Sequence, residues 1–394
     1  MNHRRLARAG VLLAGLAVAF LVAEFGLRVA QPIRPGDLLP FSYRVGEVHR
    51  LEAGDTYIRF DAHLGWTPAP ATVRRDDGIV YQTNGAALRA EREYALETPP
   101  GVRRLAALGD SFTHCDEVAY SDCWAAGLER AWSGTEVLNF GAPGYGHDQA
   151  WLRYEREGRG YRPCAVLMGY MVDSISRAIS RFRPFQSPDV GLPLSKPRYL
   201  LEGEELRLLP NPVTTPAQLA DPGWVEATLG PDDHWYFPGM FVANPFDASY
   251  VVRVARTAAY RRAKGQGTTD ARSQLAQLYQ LDQEPLLVAG RILVHFAREV
   301  RRDGATPVVV VFGREREVAT IREGGGKPYA PILDWLAREG IATIDVTDAL
   351  VREARRTGED ALTARNGHYS RRGNAVVAAA LARELPRLTA PTCG

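Results

Sequence analysis

An α/β protein built on a five-stranded parallel sheet, interrupted by a proline-rich insertion and preceded by a membrane helix, is the fold class this sequence predicts. Three observations lead there. Between residues 102 and 390, short apolar runs alternate with stretches of helical period, the pattern of a parallel sheet covered on both faces. Residues 184–238 hold 10 of the 26 prolines and break that alternation. Residues 9–23 carry no charge and follow three arginines within residues 4–8.

Length and charge narrow the classes. The chain has 394 residues, 48 Lys+Arg against 46 Asp+Glu, a formal net charge of +2 and 45% hydrophobic residues. Disorder, a collagen-like fibre and a polytopic membrane protein are excluded by such a composition, and a balance this even argues against a nucleic-acid partner. The expected organisation is a signal anchor over residues 1–35, an extracytoplasmic segment over 36–101, and an α/β domain over 102–390 with an insertion at about 184–284.

A helix needs about 20 residues to cross the hydrocarbon layer, so residues 9–23 suffice only if the next turn, with Glu24 and Arg28 paired at i,i+4, lies in the interface. The preferred reading is an uncleaved anchor with its N-terminus in the cytoplasm. The alternative is a cleaved signal peptide, for which Ala17-Val18-Ala19 has the small-x-small pattern. Either way the rest of the chain is expected outside the cytoplasm. Of the four cysteines, Cys115 and Cys123 are close enough to close a short loop in an oxidising compartment, or they are independent thiols; Cys164 and Cys393 have no assigned partner. No CxxC or His/Cys cluster marks a metal, and no cofactor is implied.

The elements follow in order. Residues 36–101 are turn-rich with short strand-like pieces at 56–60 and 79–82. The predicted sheet strands are 104–108, 136–140, 165–170, 306–312 and 341–346, and the helices are 124–132, 149–156, 248–264, 285–302, 329–338 and 374–384. Helix 285–302 is clearly amphipathic, with Ala289, Ile292, Leu293, Phe296 and Val300 on one face, Pro285 at its start and Gly304 past its end. Within the proline-rich stretch no helix is expected, only a hairpin over 198–209 turning at Gly203-Glu204.

The first predicted strand runs into Gly109-Asp110-Ser111-Phe112-Thr113. A serine at the carboxyl end of a parallel strand, opening a helix, puts its hydroxyl at the ligand-binding edge of the sheet and suits a nucleophile, or it serves only as a helix N-cap. A serine hydroxyl needs a base. Of eight histidines, His368 in Asn366-Gly367-His368-Tyr369-Ser370 stands at a loop-to-helix junction after the fifth strand, where it could reach the same edge or lie on the surface. After the second strand comes Asn139-Phe140-Gly141-Ala142-Pro143-Gly144-Tyr145-Gly146, whose small residues let backbone amides approach a substrate oxygen.

These three blocks resemble those of the SGNH/GDSL hydrolase superfamily, in the manner of a membrane-anchored bacterial member. The resemblance covers residues 105–380 apart from the insertion, and implies a flavodoxin-like three-layer α/β/α fold and hydrolysis or transfer of acyl groups, often acetyl esters on carbohydrates. It implies Ser111 as nucleophile, His368 as base, and the amides of Ser111 and Gly144 in the oxyanion hole. Two departures stand out. Where the family has Gly-x-Asn-Asp, this chain has Gly169-Tyr170-Met171-Val172-Asp173, so Val172 replaces the oxyanion-binding Asn; Ser176 and Arg177 are candidate substitutes. Where the family has an Asp before the histidine, this chain has Arg365 and Asn366, leaving a backbone carbonyl, Asn366, a distant acid such as Asp360, or a Ser/His dyad.

Asp110, Asp173 and Asn366 are possible supporting residues, and Asp173 is expected to bond Arg177 one helical turn on. The basic run Arg177, Arg181, Phe182, Arg183 reads either as a contact for an acidic saccharide or as a solvated helix face; Asp232-Asp233-His234-Trp235-Tyr236-Phe237 reads as a sugar-binding patch or as local packing. The function implied is a membrane-anchored extracytoplasmic serine esterase or O-acyltransferase acting on acylated envelope or exported glycans or a small ester. The alternative is a catalytically degenerate fold kept as a glycan-binding or assembly component. A long-chain lipase or thioesterase would need an apolar cleft that the insertion does not suggest.

Overall fold

The computed structural model describes residues 3–31, 33–54, 56–188, 193–264, 271–358 and 361–393. At its centre five parallel strands, β1 (Arg103–Leu108), β2 (Thr135–Asn139), β3 (Ala165–Met171), β4 (Thr306–Phe312) and β5 (Ala342–Asp345), lie side by side in the order 2-1-3-4-5. Each coincides with a predicted strand to within a residue at either end. β3 and β4 are buried along almost their whole length, which is why they are written as continuous apolar runs.

The chain passes from β1 to β2 in one direction and then turns back across the sheet to β3, β4 and β5. With right-handed crossovers this puts helices on both faces. Trp124–Ala131, Thr347–Thr357 and Arg371–Cys393 pack together on one, and His147–Arg153, Glu284–Arg302 and Ala330–Arg338 on the other. Glu284–Arg302 buries the predicted stripe of Ala289, Ile292, Leu293, Phe296 and Val300. The terminal helix runs well past the predicted Glu384 and through Pro386 and Pro391. Its far end is clamped to the start of β3 by the disulfide Cys164–Cys393, and tertiary packing overrides the local cost of proline. A second disulfide joins Cys115 and Cys123.

The proline-rich stretch contains the expected hairpin, Arg198–Glu202 with Glu205–Leu209, but also a helix, Pro222–Leu229, that contradicts the expectation of none. Pro222 sits in the first turn, where its missing N–H is not needed, and the Asp221 carboxylate accepts from Gly223 N (2.8 Å) and Trp224 N (3.2 Å). Elsewhere buried carboxylates satisfy the backbone that regular structure leaves unpaired. Glu226 accepts from the amides of Gly239, Phe241 and Val242, and Asp233 from those of Arg181, Phe182 and Trp235. A second apolar core forms here, in which Leu39, Tyr43 and Val48 from the segment before the domain pack with Phe182, Phe185, Val225 and Phe241.

The N-terminal helix spans His3–Ala30, and its apolar part, Ala7–Ala30, has 24 residues, long and apolar enough to cross a membrane. The Glu24–Arg28 pair forms as expected, at 2.5 Å. Glu24 also accepts from Ser249 Oγ (2.8 Å), Tyr250 N (2.9 Å) and Val251 N (3.0 Å), so a carboxylate from this helix caps the start of the helix Tyr250–Ala263.

His147, at the start of His147–Arg153, is fully buried and stacks on Tyr170 with ring centroids 4.2 Å apart. Ser174 Oγ donates to Met171 O (2.6 Å), so His147 Nε2–H donates to Ser174 Oγ (2.7 Å) and Nδ1 keeps a lone pair with no donor. Burial, with Arg177 and Lys196 nearby, pushes this imidazole down to about 3. Between that value and the ordinary 6.5 the unfolded chain binds a proton here that the folded chain does not, so stability rises with pH across this window and is lost on acidification. His147→Phe, which keeps the ring stack, should flatten the pH dependence of unfolding between pH 3 and 6.5 by up to about 1.4 kcal/mol per pH unit. Urea titrations at several pH values measure this, and an unchanged slope would refute it.

Candidate active site

In the strand order 2-1-3-4-5 the crevice beyond the carboxyl ends of β1 and β3 is the topological switch point, where open α/β sheets take their ligands. β1 ends at Leu108 and turns sharply at Gly109, whose φ is +148; a Cβ there would lie 2.2 Å from Thr113 Oγ1. The turn opens the short helix Ser111–His114. Its N-cap is Asp110, whose carboxylate accepts from Phe112 N at 2.9 Å, so the capping role considered for Ser111 belongs to its neighbour. Ser111 occupies the first helical position. Asp110 is buried, which pushes its carboxyl up; the Arg177 guanidinium, donating to it at 2.8 Å, opposes that shift.

The loop after β2 packs directly on this turn. A Cβ on Gly141 would lie 2.3 Å from His114 N, and the side chain of Asn139 donates to Thr113 O (2.7 Å) while accepting from Gly141 N (2.9 Å). Gly144 has φ +80, and the loop beside it is held by Trp66 Nε1 donating to Pro143 O (2.9 Å) and by Arg177 Nη1 donating to Tyr145 O (3.0 Å). Arg177 thus ties the turn that carries Ser111 to the loop that carries Gly144.

His368 arrives from the far end of the sequence. Its loop is fixed by Tyr369 Oη donating to Gly313 O (2.7 Å) and by Asn374 Nδ2 donating to Tyr369 O (2.9 Å). The imidazole lies against Phe112, the residue after Ser111, with ring centroids 5.1 Å apart. Its Nδ1 is 3.0 Å from Glu117 Oε2. Glu117 also accepts from His368 N (3.2 Å), and from Asn366 N (2.9 Å) and Nδ2 (2.8 Å). Its own amide donates to Tyr81 Oη (2.9 Å), and it sits at φ +69 inside the loop closed by Cys115–Cys123. With Nδ1 engaged, Nε2 is the nitrogen available for proton transfer. The histidine nearer to Ser111 in sequence, His114, has both nitrogens occupied, by Asp116 Oδ1 at 2.5 Å and Tyr57 Oη at 2.8 Å.

Several expectations change. Asn366 does not orient the imidazole; it holds Glu117. Asp360 lies outside the described residues. Asp173 does not bond Arg177: the chain after β3 winds as a 3-10 turn, Val172–Arg177, which directs Asp173 to Arg314 and Arg316 and frees Arg177 for Asp110. Ser176 Oγ donates to Asp173 O (2.7 Å) and accepts from Gln186. The run from Arg177 to Arg183 is not a solvated face. Arg181 is buried and pairs with Asp232 (3.3 Å) and Pro210 O (2.9 Å), whereas Arg177 and Arg183 stay beside the crevice. In the insertion, Tyr236 and Phe237 pack locally, while His234 and Trp235 line a cavity of about 790 Å³ that also borders Ser176 and Gln186.

No family model matches the chain, and no curated protein matches it. Among solved structures it is similar to a member of the lipolytic protein G-D-S-L family from Veillonella parvula (10% identity, covering 73% of this chain and 100% of that one, TM-score 0.34). It is also similar to a catalytic mutant of an acetylxylan esterase from Geobacillus stearothermophilus (11% identity, 73% and 96% covered, TM-score 0.37). A third is the lipase/acylhydrolase from Enterococcus faecalis (12% identity, 72% and 95% covered, TM-score 0.35). Likenesses this distant leave the functional reading to the geometry of the site.

Proposed function

We propose that the chain is a serine hydrolase of the SGNH/GDSL type, a membrane-anchored extracytoplasmic esterase or O-acyltransferase acting on O-acyl groups of envelope or exported glycans. The observation that carries this reading is the imidazole of His368, bonded through Nδ1 to Glu117 at 3.0 Å and seated against Phe112 beside Ser111. Ser111 Oγ attacks the acyl carbon as His368 Nε2 takes its proton, Glu117 stabilises the imidazolium, and the amides of Ser111 and Gly144 receive the oxyanion. Collapse expels the alcohol, which takes the proton back from His368. Water or a sugar hydroxyl then removes the acyl group from Ser111.

Two disulfides and a long apolar N-terminal helix suit an anchored protein in an oxidising compartment. The cavity bordered by Trp235, with Asp173, Ser176 and Gln186 as polar lining, suits a saccharide held beside the turn that follows β3. One feature favours the non-catalytic glycan-binding reading, namely that Val172, in place of Asn, offers no side-chain donor.

The deciding experiment uses the full chain in detergent, because removing the N-terminal helix would strip the Glu24 cap from Tyr250–Ala263. A fluorophosphonate probe should label Ser111, and p-nitrophenyl acetate turnover should vanish in Ser111→Ala and in His368→Ala. A folded, unmodified chain that is neither labelled nor active on a panel of acetylated sugars would favour the binding module.

A further inference from the structure

The site as described has two backbone donors for an oxyanion and, at Val172, an apolar side chain turned into the core. Its surroundings are nonetheless cationic. Two guanidiniums, Arg177 and Arg183, approach the loop of Gly144, and one carboxylate, Asp110, accompanies them. Asp110 is matched by Arg177. Among the described residues, Arg183 has no carboxylate partner; its hydrogen bond goes from Nη1 to the neutral amide oxygen of Gln186 at 2.9 Å, and Gln186 is itself held by Ser176 Oγ.

Position makes this charge specific. A Cβ built on Gly144 would lie 4.0 Å from Arg183 Nε, with Trp66 Cζ2 at 3.6 Å as its other neighbour. The guanidinium thus borders the face of Gly144 from which a side chain is missing, and a group bound against this loop has the planar Arg183 fork beside it. Burial and the nearby Arg177 push Arg183 down to about 9, an effect the Asp110 carboxylate only partly opposes, so a further negative charge alongside would favour the cation.

We infer that Arg183 is the side-chain donor to the tetrahedral oxyanion, in the place that Val172 leaves without one, with Arg177 positioning the Gly144 loop. The inference rests on the serine-hydrolase reading above. When Ser111 Oγ bonds to the acyl carbon, the carbonyl π pair moves onto oxygen, the Oγ proton goes to His368 Nε2, and the new O⁻ accepts from Ser111 N, Gly144 N and the Arg183 guanidinium. On collapse the pair returns, the bond to the leaving alcohol breaks and the alcohol takes the His368 proton. Arg183 is then left with only the Asp110 carboxylate, already paired to Arg177, to offset its charge. Arg183 thus interacts more strongly with the transition state than with a neutral ester, the condition for raising kcat.

The test uses the full chain and p-nitrophenyl acetate, a neutral ester. Arg183→Gln should lose about 10²- to 10³-fold in kcat with KM changed by less than about threefold. Guanidinium ion should restore turnover to Arg183→Ala and not to Ser111→Ala, which a packing role for Arg183 would not produce. Should these variants fail to fold, Arg183→Lys, which keeps the charge without the planar fork, should lose about tenfold in kcat, and an unchanged kcat there overturns the assignment. Arg183→Gln turning over like the unmodified chain while Ser111→Ala is dead would retain the hydrolase reading and remove Arg183 from it. A loss confined to a raised KM for esters bearing a carboxylate would make Arg183 a substrate-charge reader and overturn the oxyanion role. Undiminished turnover in Ser111→Ala would instead overturn the hydrolase reading itself.

Discussion

Glu117→Gln is expected to lower kcat on an acetyl ester by about 10³- to 10⁴-fold near neutral pH, with the fold intact. The carboxylate accepts from two sides: Asn366 N and Nδ2 reach Oε1, and His368 N and Nδ1 reach Oε2. An amide has only one accepting oxygen. If that oxygen turns to Asn366, where two donors wait, the new NH₂ faces His368 Nδ1 and donates to it. The imidazole then carries its proton on Nε2 and cannot take one from Ser111. Glu117→Asp, one methylene shorter, should lose less because it keeps the acceptor and the charge. Steady-state turnover and the rate of fluorophosphonate labelling should fall together. A kcat within tenfold of the unmodified chain for Glu117→Gln would mean that His368 works as a dyad with Ser111 and that Glu117 only shapes the loop.

Lys196→Met should destabilise the fold by about 3–5 kcal/mol. Lys196 and Asp148 form an ion pair in which both side chains are shut off from solvent, and Lys196 Nζ also donates to Pro197 O at 2.9 Å. Burial pushes Asp148 up and Lys196 down, and each charge restrains the other's shift. Removing one partner leaves the other buried without a counter-charge. The double replacement Asp148→Leu with Lys196→Met should cost less than Lys196→Met alone, because no uncompensated charge remains. Chemical denaturation of the unmodified chain and the two variants measures this, and a double variant less stable than Lys196→Met would contradict it. The pair also fastens the insertion to the helix after the Gly144 loop, since Asp148 lies on His147–Arg153 and the amide of Lys196 donates to Arg181 O at 2.8 Å.

The sheet was legible because strands buried on both faces must be apolar throughout, and runs such as Thr306–Phe312 carry no competing helical period. The helix Pro222–Leu229 was missed because a proline count treats every proline as a breaker, whereas one at the first helical position after Asp221 is a start signal. Ser111, Gly144 and His368 stand out as candidates in the sequence because each ends or follows a strand within a short recognisable block. Glu117 could not. It lies 251 residues from its histidine, and its only local mark is an acid inside a cysteine-bounded loop just after the serine turn, which is weak without coordinates. The basic run at 177–183 was seen, but only packing divides it: Arg181 turns into the insertion, and Arg177 and Arg183 turn toward Gly144.

The Glu24 contact has a mechanical consequence. A leader that merely trailed from the domain would be a leash, letting the sheet edge that carries Ser111 sample many heights and tilts above a bilayer. A carboxylate that spends three hydrogen bonds on the first turn of Tyr250–Ala263 makes the junction a bracket instead. On the proposed reading of an anchored hydrolase, Ser111 would then meet its substrate at one stand-off and one tilt. A polymer chain emerging alongside, or a donor carried in the plane of the membrane, is presented repeatedly to the same mouth rather than having to be caught by a swinging head.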